Sequence, residues 1–191
     1  MNSLPFFSDL LFEDESYLEK GLAKGEYDHC VFKNCDFQDV YLSNISFLEC
    51  TFIDCQMSNC KVGNATFNEV TFDNCKLLGI HFFECNPFLI SLIFKDCNLE
   101  LASFQNMDIP KSSFENCNLN AADFSYTNLT ASSINNCNLI NTKFQNSILE
   151  KVDFRQSYNF QIDPENNSLK KAIFSRDHLE GLLSKYGIII E

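Results

Sequence analysis

One hexapeptide recurs six times in this chain: an apolar residue, any residue, Asn or Asp, Cys, any residue and a second apolar residue. The copies begin at Phe32, Phe52, Phe72, Phe94, Phe114 and Ile134 and read FKNCDF, FIDCQM, FDNCKL, FKDCNL, FENCNL and INNCNL. Their intervals are 20, 20, 22, 20 and 20 residues, which marks an internal repeat whose units bury their apolar side by stacking on one another.

A finer period lies inside the long one. Large apolar side chains recur every fifth residue from Phe32 to Phe82 and again from Phe94 to Phe154, 24 consecutive matches. Neither a helical period near 3.6 nor a strand period of 2 produces this pattern. Two residues before each large side chain stands a small or slim one, such as Cys30, Cys35, Ala65, Cys97, Ala122 or Ser147. Two inward positions in every five describe a chain that turns a corner every five residues, and four corners close a coil of 20. Cys35, Cys55, Cys75, Cys97, Cys117 and Cys137 then stack on one face, which only a four-sided coil allows.

Segments such as CNLNAADFSYTNL and CNLINTKF resemble the pentapeptide-repeat family, whose motif runs A-[DN]-[LF]-x-x, with Cys often replacing Ala here. The resemblance covers about residues 27–174 and implies an all-β fold, a right-handed quadrilateral parallel β-helix. At about 4.8 Å per coil, about seven coils make a rod on the order of 34 Å long.

The two ends and one interior point depart from the period. Residues 1–26 keep the register at Phe12, Tyr17 and Leu22 but place Glu15 and Lys20 in inward slots, so an irregular or partly helical first coil or cap is expected, beginning near residue 10. The 22-residue interval places an interruption at about 83–92, where Pro87 suits a broken ladder. Such a loop is either a carrier of function or a neutral insertion. After Phe174, residues 175–191 change period. Ser175 is a candidate N-cap, Leu179, Leu182, Leu183 and Tyr186 share one helical face, and Gly187 ends the helix before Ile188, Ile189 and Ile190. A short C-terminal helix here covers the open edge of the last coil.

Ten cysteines would suggest disulfides in a secreted protein, but all fall in the inward slot, where a free thiol acts as a small buried hydrophobe. Their spacing is not that of a zinc site. The start, MNSLPFFSDLLFEDES, lacks a basic segment before its apolar one and reads as no secretory signal, so a cytoplasmic location is expected. No run is long enough to span a membrane. His29, His81 and His178 form no triad or metal spacing, and there is no phosphate loop or nucleophile elbow. Neither enzymatic activity nor a cofactor is expected.

The net charge is −12. Residues 1–84 carry 14 acids against 5 bases, and residues 155–191 carry 5 against 5. This surface disfavours direct nucleic-acid or membrane binding and favours a basic partner, although acidity also aids solubility. Within the family, the near-190 length, the Cys-rich repeats and the ending DPENNSLKKAIFSRDHLEGLLSKYGI resemble the gyrase-protecting branch, which includes Qnr-type proteins and the immunity proteins of albicidin and microcin B17 producers. That resemblance implies a rod-shaped DNA mimic that binds a type II topoisomerase, chiefly DNA gyrase, and opposes its poisons.

It also implies a homodimer joined through the C-terminal helix and tail, by Leu179, Leu182, Leu183, Tyr186, Ile188 and Ile190. Candidate partner-binding acids are Asp39, Glu49, Asp54, Glu69, Asp73, Glu84 and Asp96. The column Asn34, Asp54, Asn74, Asp96, Asn116 and Asn136 also reads as a hydrogen-bonded ladder bracing a corner. A non-catalytic scaffold with an unrelated partner is the alternative that the repeat equally satisfies.

Overall fold

Because two of every five residues point inward, each side of the coil leaves room for only a very short strand. The computed structural model describes residues 4–189. Side 1 of the coil holds β1 (Phe6–Ser8), β3 (Glu26–Asp28), β5 (Ser46–Leu48) and β7 (Thr66–Asn68), paired in that order. Side 2 holds β2 (Leu11–Glu13), β4 (Val31–Lys33), β6 (Thr51–Ile53), β8 (Val70–Asp73), β9 (Leu92–Lys95), β10 (Ser113–Glu115) and β11 (Ser133–Asn135). Every pairing is parallel and shifted by one coil, so Phe32 lies between Phe12 and Phe52. Single bridged residues build side 3, from Ser16 and Asp36 to Asn138 and Tyr158, and side 4, where His81, Ser103, Asp123 and Lys143 follow one another.

On side 2 the levels continue from Ser133 through Asp153 to Ile173. Phe12, Phe32, Phe52, Phe72, Phe94, Phe114, Ile134, Phe154 and Phe174 therefore mark nine levels, eight steps of about 4.8 Å or about 38 Å of rod. The connection between successive parallel strands is right-handed, the rule for such crossovers.

The core is a set of ring piles. Phe32, Phe52, Phe72, Phe94 and Phe114 are fully buried, and their centroids follow at 4.8, 5.2, 5.2 and 5.1 Å. A second pile of Phe82, Phe104, Phe124 and Phe144 steps at 5.0, 4.7 and 5.4 Å. The two piles meet edge to face, as at Phe104 and Phe114, 5.7 Å apart at 89°. Offset stacks and T-shaped contacts each add about 0.5–1.5 kcal/mol beyond area burial.

All ten cysteines are free and buried. The Cys55 thiol lies 3.3 Å from the Phe32 carbonyl of the preceding coil and 3.3 Å from the Ile53 carbonyl. Burial pushes the Cys35 thiol up to about 11 and those of Cys50 and Cys60 to about 12. Toward the C-terminus hydroxyls replace thiols in the same slot. Thr127, Thr142, Ser147 and Ser157 donate to the carbonyls of Phe104, Leu119, Phe124 and Ile134 at 2.6, 2.8, 2.8 and 2.7 Å.

The first coil is more regular than its sequence suggests. It begins at Phe6 and pairs on sides 1 and 2, Tyr17 stacks on Phe37 at 4.6 Å, and Glu15 and Lys20 turn outward to pair at 3.1 Å. The wall is interrupted at Asn86–Ser91. Asn86 donates from its backbone to Ala65, the chain leaves the wall, and Ser91 returns by donating to Phe67 at 3.0 Å. Phe88 and Leu89 stand out from this loop, 70% and 61% exposed.

The C-terminal segment is not one α-helix. Short 3-10 helices span Arg176–Leu182 and Ser184–Tyr186, with a kink at His178 (φ −129°, ψ 18°). The cause is close packing: Gly181 sits on Phe160, where an added Cβ would lie 2.6 Å from the Phe160 ring, and its carbonyl accepts from Ile162 at 3.0 Å.

Candidate functional site

Side 2 is the longest sheet, and at each of its edges the chain turns with one residue in the left-handed conformation. At the corner with side 1 those residues are Asp9, His29, Glu49 and Glu69, with φ of 56°, 52°, 52° and 56°. At the corner with side 3 they are Asp14, Asn34, Asp54, Asn74 and Asp96, with φ of 57°, 50°, 56°, 50° and 52°. Asn and Asp enter this conformation at least cost among residues with a side chain. Asp73 closes β8 one residue before Asn74. The lower half of one face of the rod is thus edged by two rows that carry carboxylates, while above it the same corners hold Lys111, Lys151 and Lys171 on one edge and Asn116 and Asn136 on the other. Glu49 and Asp54 are separated by five residues of chain, a span of at most about 17 Å.

Amides tie the row at sides 2 and 3 together. Asn34 donates to Asp14 at 2.6 Å, Asn74 to Asp54 at 2.7 Å, Asn116 to Asp96 at 3.0 Å and Asn136 to Asn116 at 2.9 Å. In each bond the upper coil donates and the lower accepts. A carboxylate only accepts, so each Asp ends the ladder below it and starts a new one above. At the opposite corner His29 holds Asp28 through Nδ1 at 2.9 Å and Glu49 through Nε2 at 3.0 Å. The Asp28 hydrogen bond, followed by the Glu49 charge, raises the His29 pKa above its ordinary value.

Of the seven acids read from sequence, Glu49, Asp54, Glu69, Asp73 and Asp96 edge this face. Asp39 lies at the corner of sides 3 and 4, and Glu84 follows His81 on side 4, 3.4 Å from its ring. The five-residue period sends successive acids to different sides, so these two cannot join the rows. Sequence reasoning missed Asp9 and Asp14, which extend the rows into the first coil, and Asp28, which ends β3 beside the corner residue His29. Following the register one step back from Phe12 to Phe7 would have placed the first two, and Tyr27, already in register, would have placed the third.

The C-terminal residues read as one apolar stripe are divided. Leu182 packs against the core, while Leu179, Tyr186 and Ile188 are exposed. The Tyr186 hydroxyl donates to Glu165 at 2.9 Å, and Lys185 pairs with Asp163 and Glu165 at 2.6 Å each. The segment is therefore clasped to its own last coil. Ile190 lies outside the described residues.

Among the described residues no group of His, Cys, Asp and Glu could hold a metal ion, and no helix is long and apolar enough to cross a membrane.

The profile described as pentapeptide repeat region matches residues 26–87 and 89–160, more than half of the chain. The chain belongs to the pentapeptide-repeat family. No curated protein is significantly similar in sequence. Among solved structures, the pentapeptide chain is similar to a trypsin-treated form of QnrB1, a plasmid-mediated fluoroquinolone resistance protein, with a TM-score of 0.66 at 15% identity over 98% of this chain and 100% of that one. Full-length QnrB1 gives 0.55 at 17% identity over 96% and 100%. HetL, a pentapeptide repeat protein involved in heterocyst differentiation regulation from the cyanobacterium Nostoc, gives 0.62 at 16% identity over 89% and 86%. These likenesses establish a shared right-handed quadrilateral parallel β-helix.

Proposed function

We propose that this pentapeptide-repeat protein is a non-enzymatic DNA mimic that binds a type II topoisomerase, DNA gyrase, in the cytoplasm and protects it from quinolone or peptide-toxin poisons. The observation that carries the reading is the pair of acid rows along side 2. Duplex DNA carries about one charge per 1.7 Å of axis, and its two strands present charge along both edges of a groove. A stiff rod with carboxylates on both edges of the lower half of a flat face offers a basic DNA channel the same arrangement, at lower density. The five acids Glu49, Asp54, Glu69, Asp73 and Asp96, with Asp9, Asp14 and Asp28, are the proposed contacts. Joining two rods through the exposed Leu179 and Ile188 and the half-buried Leu183 would set an acid face at each end of a longer rod, and this homodimer is part of the proposal.

The similarity to QnrB1 is compatible with this role, and the comparable similarity to HetL, whose role is in differentiation regulation, keeps the alternative, a scaffold with an unrelated partner. Competition separates them. Titrating the protein against a fluorescent duplex bound to purified gyrase should displace the duplex, most strongly at low salt. A duplex that stays bound at micromolar protein and low salt would favour the scaffold.

A further inference from the structure

The corner between sides 1 and 2 changes sign along the rod. Below the loop its left-handed positions hold Asp9, His29, Glu49 and Glu69, and above it they hold Lys111, Ala131, Lys151 and Lys171, the charged residues all exposed. Among the described residues these three lysines form no ion pair, whereas Lys20, Lys33, Lys143, Arg155 and Lys185 each do. The register of side 2 places Ser91 at the fifth of nine levels in this column. Glu69 is one level below Ser91 and Lys111 one above; Asp9 is four below and Lys171 four above. Reversed about its midpoint, the column sets Asp9 on Lys171 and Glu69 on Lys111, two acid–lysine pairs, with His29 on Lys151 and Glu49 on Ala131 between them.

The midpoint differs in kind from its flanks. There the interrupting loop pushes out Phe88 and Leu89, 70% and 61% exposed. An apolar centre flanked by charges is the usual anatomy of a protein interface. Self-complementarity about a point is what an isologous contact requires. A parallel alignment would set lysine against lysine and acid against acid.

We propose that two free copies of this chain associate side by side and antiparallel through this corner, with the two-fold axis at Ser91. Lys111 of each copy faces Glu69 of the other, Lys171 faces Asp9, and the two loops meet at the centre. Glu49 faces Ala131, which offers no cation, and keeps its own partner, His29, at 3.0 Å, while Lys151 faces His29, whose ring is already held by Asp28 and Glu49. The contact covers the acid row at this corner, so it belongs to the free protein and competes with any basic partner. It uses none of the C-terminal residues, and the two contacts are separable.

Cross-linking tests the geometry. All ten native cysteines are buried, so a cysteine introduced on the surface is the accessible one. Ser91 is held by its backbone to Phe67 and Val70, which makes Ser91→Cys a mild change. In a Leu183→Asp background, which removes end-to-end joining, a short bis-maleimide should convert Ser91→Cys into a two-chain product. Asp9→Cys or Lys171→Cys alone should stay single, because equal positions lie about 38 Å apart in the pair, while an equimolar mixture of the two should cross-link. Lys111→Glu should suppress the Ser91→Cys product, and Glu69→Lys in the same chain should restore it. Absence of the Ser91→Cys product, or self-linking of Asp9→Cys as readily as Ser91→Cys, would overturn the proposal.

Discussion

The Asn74 side-chain amide donates to the Asp54 carboxylate one coil below at 2.7 Å, with both residues at left-handed corners. Asp54 supplies an acceptor to the fold and a charge to the surface. An amide can supply the first without the second, since Asn116 accepts from Asn136 at 2.9 Å in the same column.

Asp54→Asn should therefore leave unfolding in urea unchanged to within about 0.5 kcal/mol while weakening duplex displacement from gyrase. Asp54→Leu removes the acceptor, leaves the Asn74 amide to water and places a branched apolar side chain at φ 56°, so it should cost about 1–2 kcal/mol, most of it from the left-handed backbone. Equal stability of the two variants would show that the ladder does not brace the corner.

The ring piles set the largest single costs. Phe52 is fully buried between Phe32 and Phe72, at 4.8 and 5.2 Å, so Phe52→Ala should cost about 3–5 kcal/mol in chemical denaturation. Tyr126→Ala, exposed on the wall, should change stability little.

Stability should fall on the alkaline side. Cysteines ordinarily ionise near pH 9.0, whereas burial holds the Cys50 and Cys60 protons to about 12, and Tyr27 shifts from 10.0 to about 12. The unfolded chain loses these protons first, so the stabilisation is complete below pH 9.0 and declines as pH rises from there toward 12. Urea midpoints at pH 8 and pH 10 should differ in that sense, and thiol labelling at pH 8 should track unfolding. Rapid labelling of the folded chain would contradict the buried assignment.

The C-terminal clasp is sensitive at Gly181. A methyl group there meets the Phe160 backbone and ring, so Gly181→Ala should destabilise by about 1–3 kcal/mol and speed hydrogen exchange in Arg176–Tyr186 ahead of the coils. Lys185→Met should loosen the same segment by removing its bonds to Asp163 and Glu165.

The coil was legible because Phe32 to Phe154 state its period directly, and the inward cysteines state its number of sides. The Asn and Asp column was legible for the same reason, since a 20-residue step returns to the same corner. The acid rows were only half legible. Asp9 and Asp14 depend on a first coil whose Glu15 and Lys20 disguise it, and Asp39 and Glu84 look equivalent to Glu49 until each is assigned a side. The C-terminal spacing of Leu179, Leu182, Leu183 and Tyr186 matches an α-helix, but the approach of Gly181 to Phe160 tightens the chain into 3-10 turns. That contact joins residues 21 positions apart, and no local pattern records it.

The central claim is that the carboxylates edging side 2 act in place of DNA. Supercoiling by purified gyrase challenged with a quinolone or a peptide toxin, over a salt series, tests it most directly. The protein should alter supercoiling or reduce poison-trapped cleavage at low salt, with the effect fading as salt rises, and the Glu49→Lys, Asp54→Lys double variant should lose it while remaining folded. Unchanged supercoiling and unchanged trapping at micromolar protein and low salt would contradict the account.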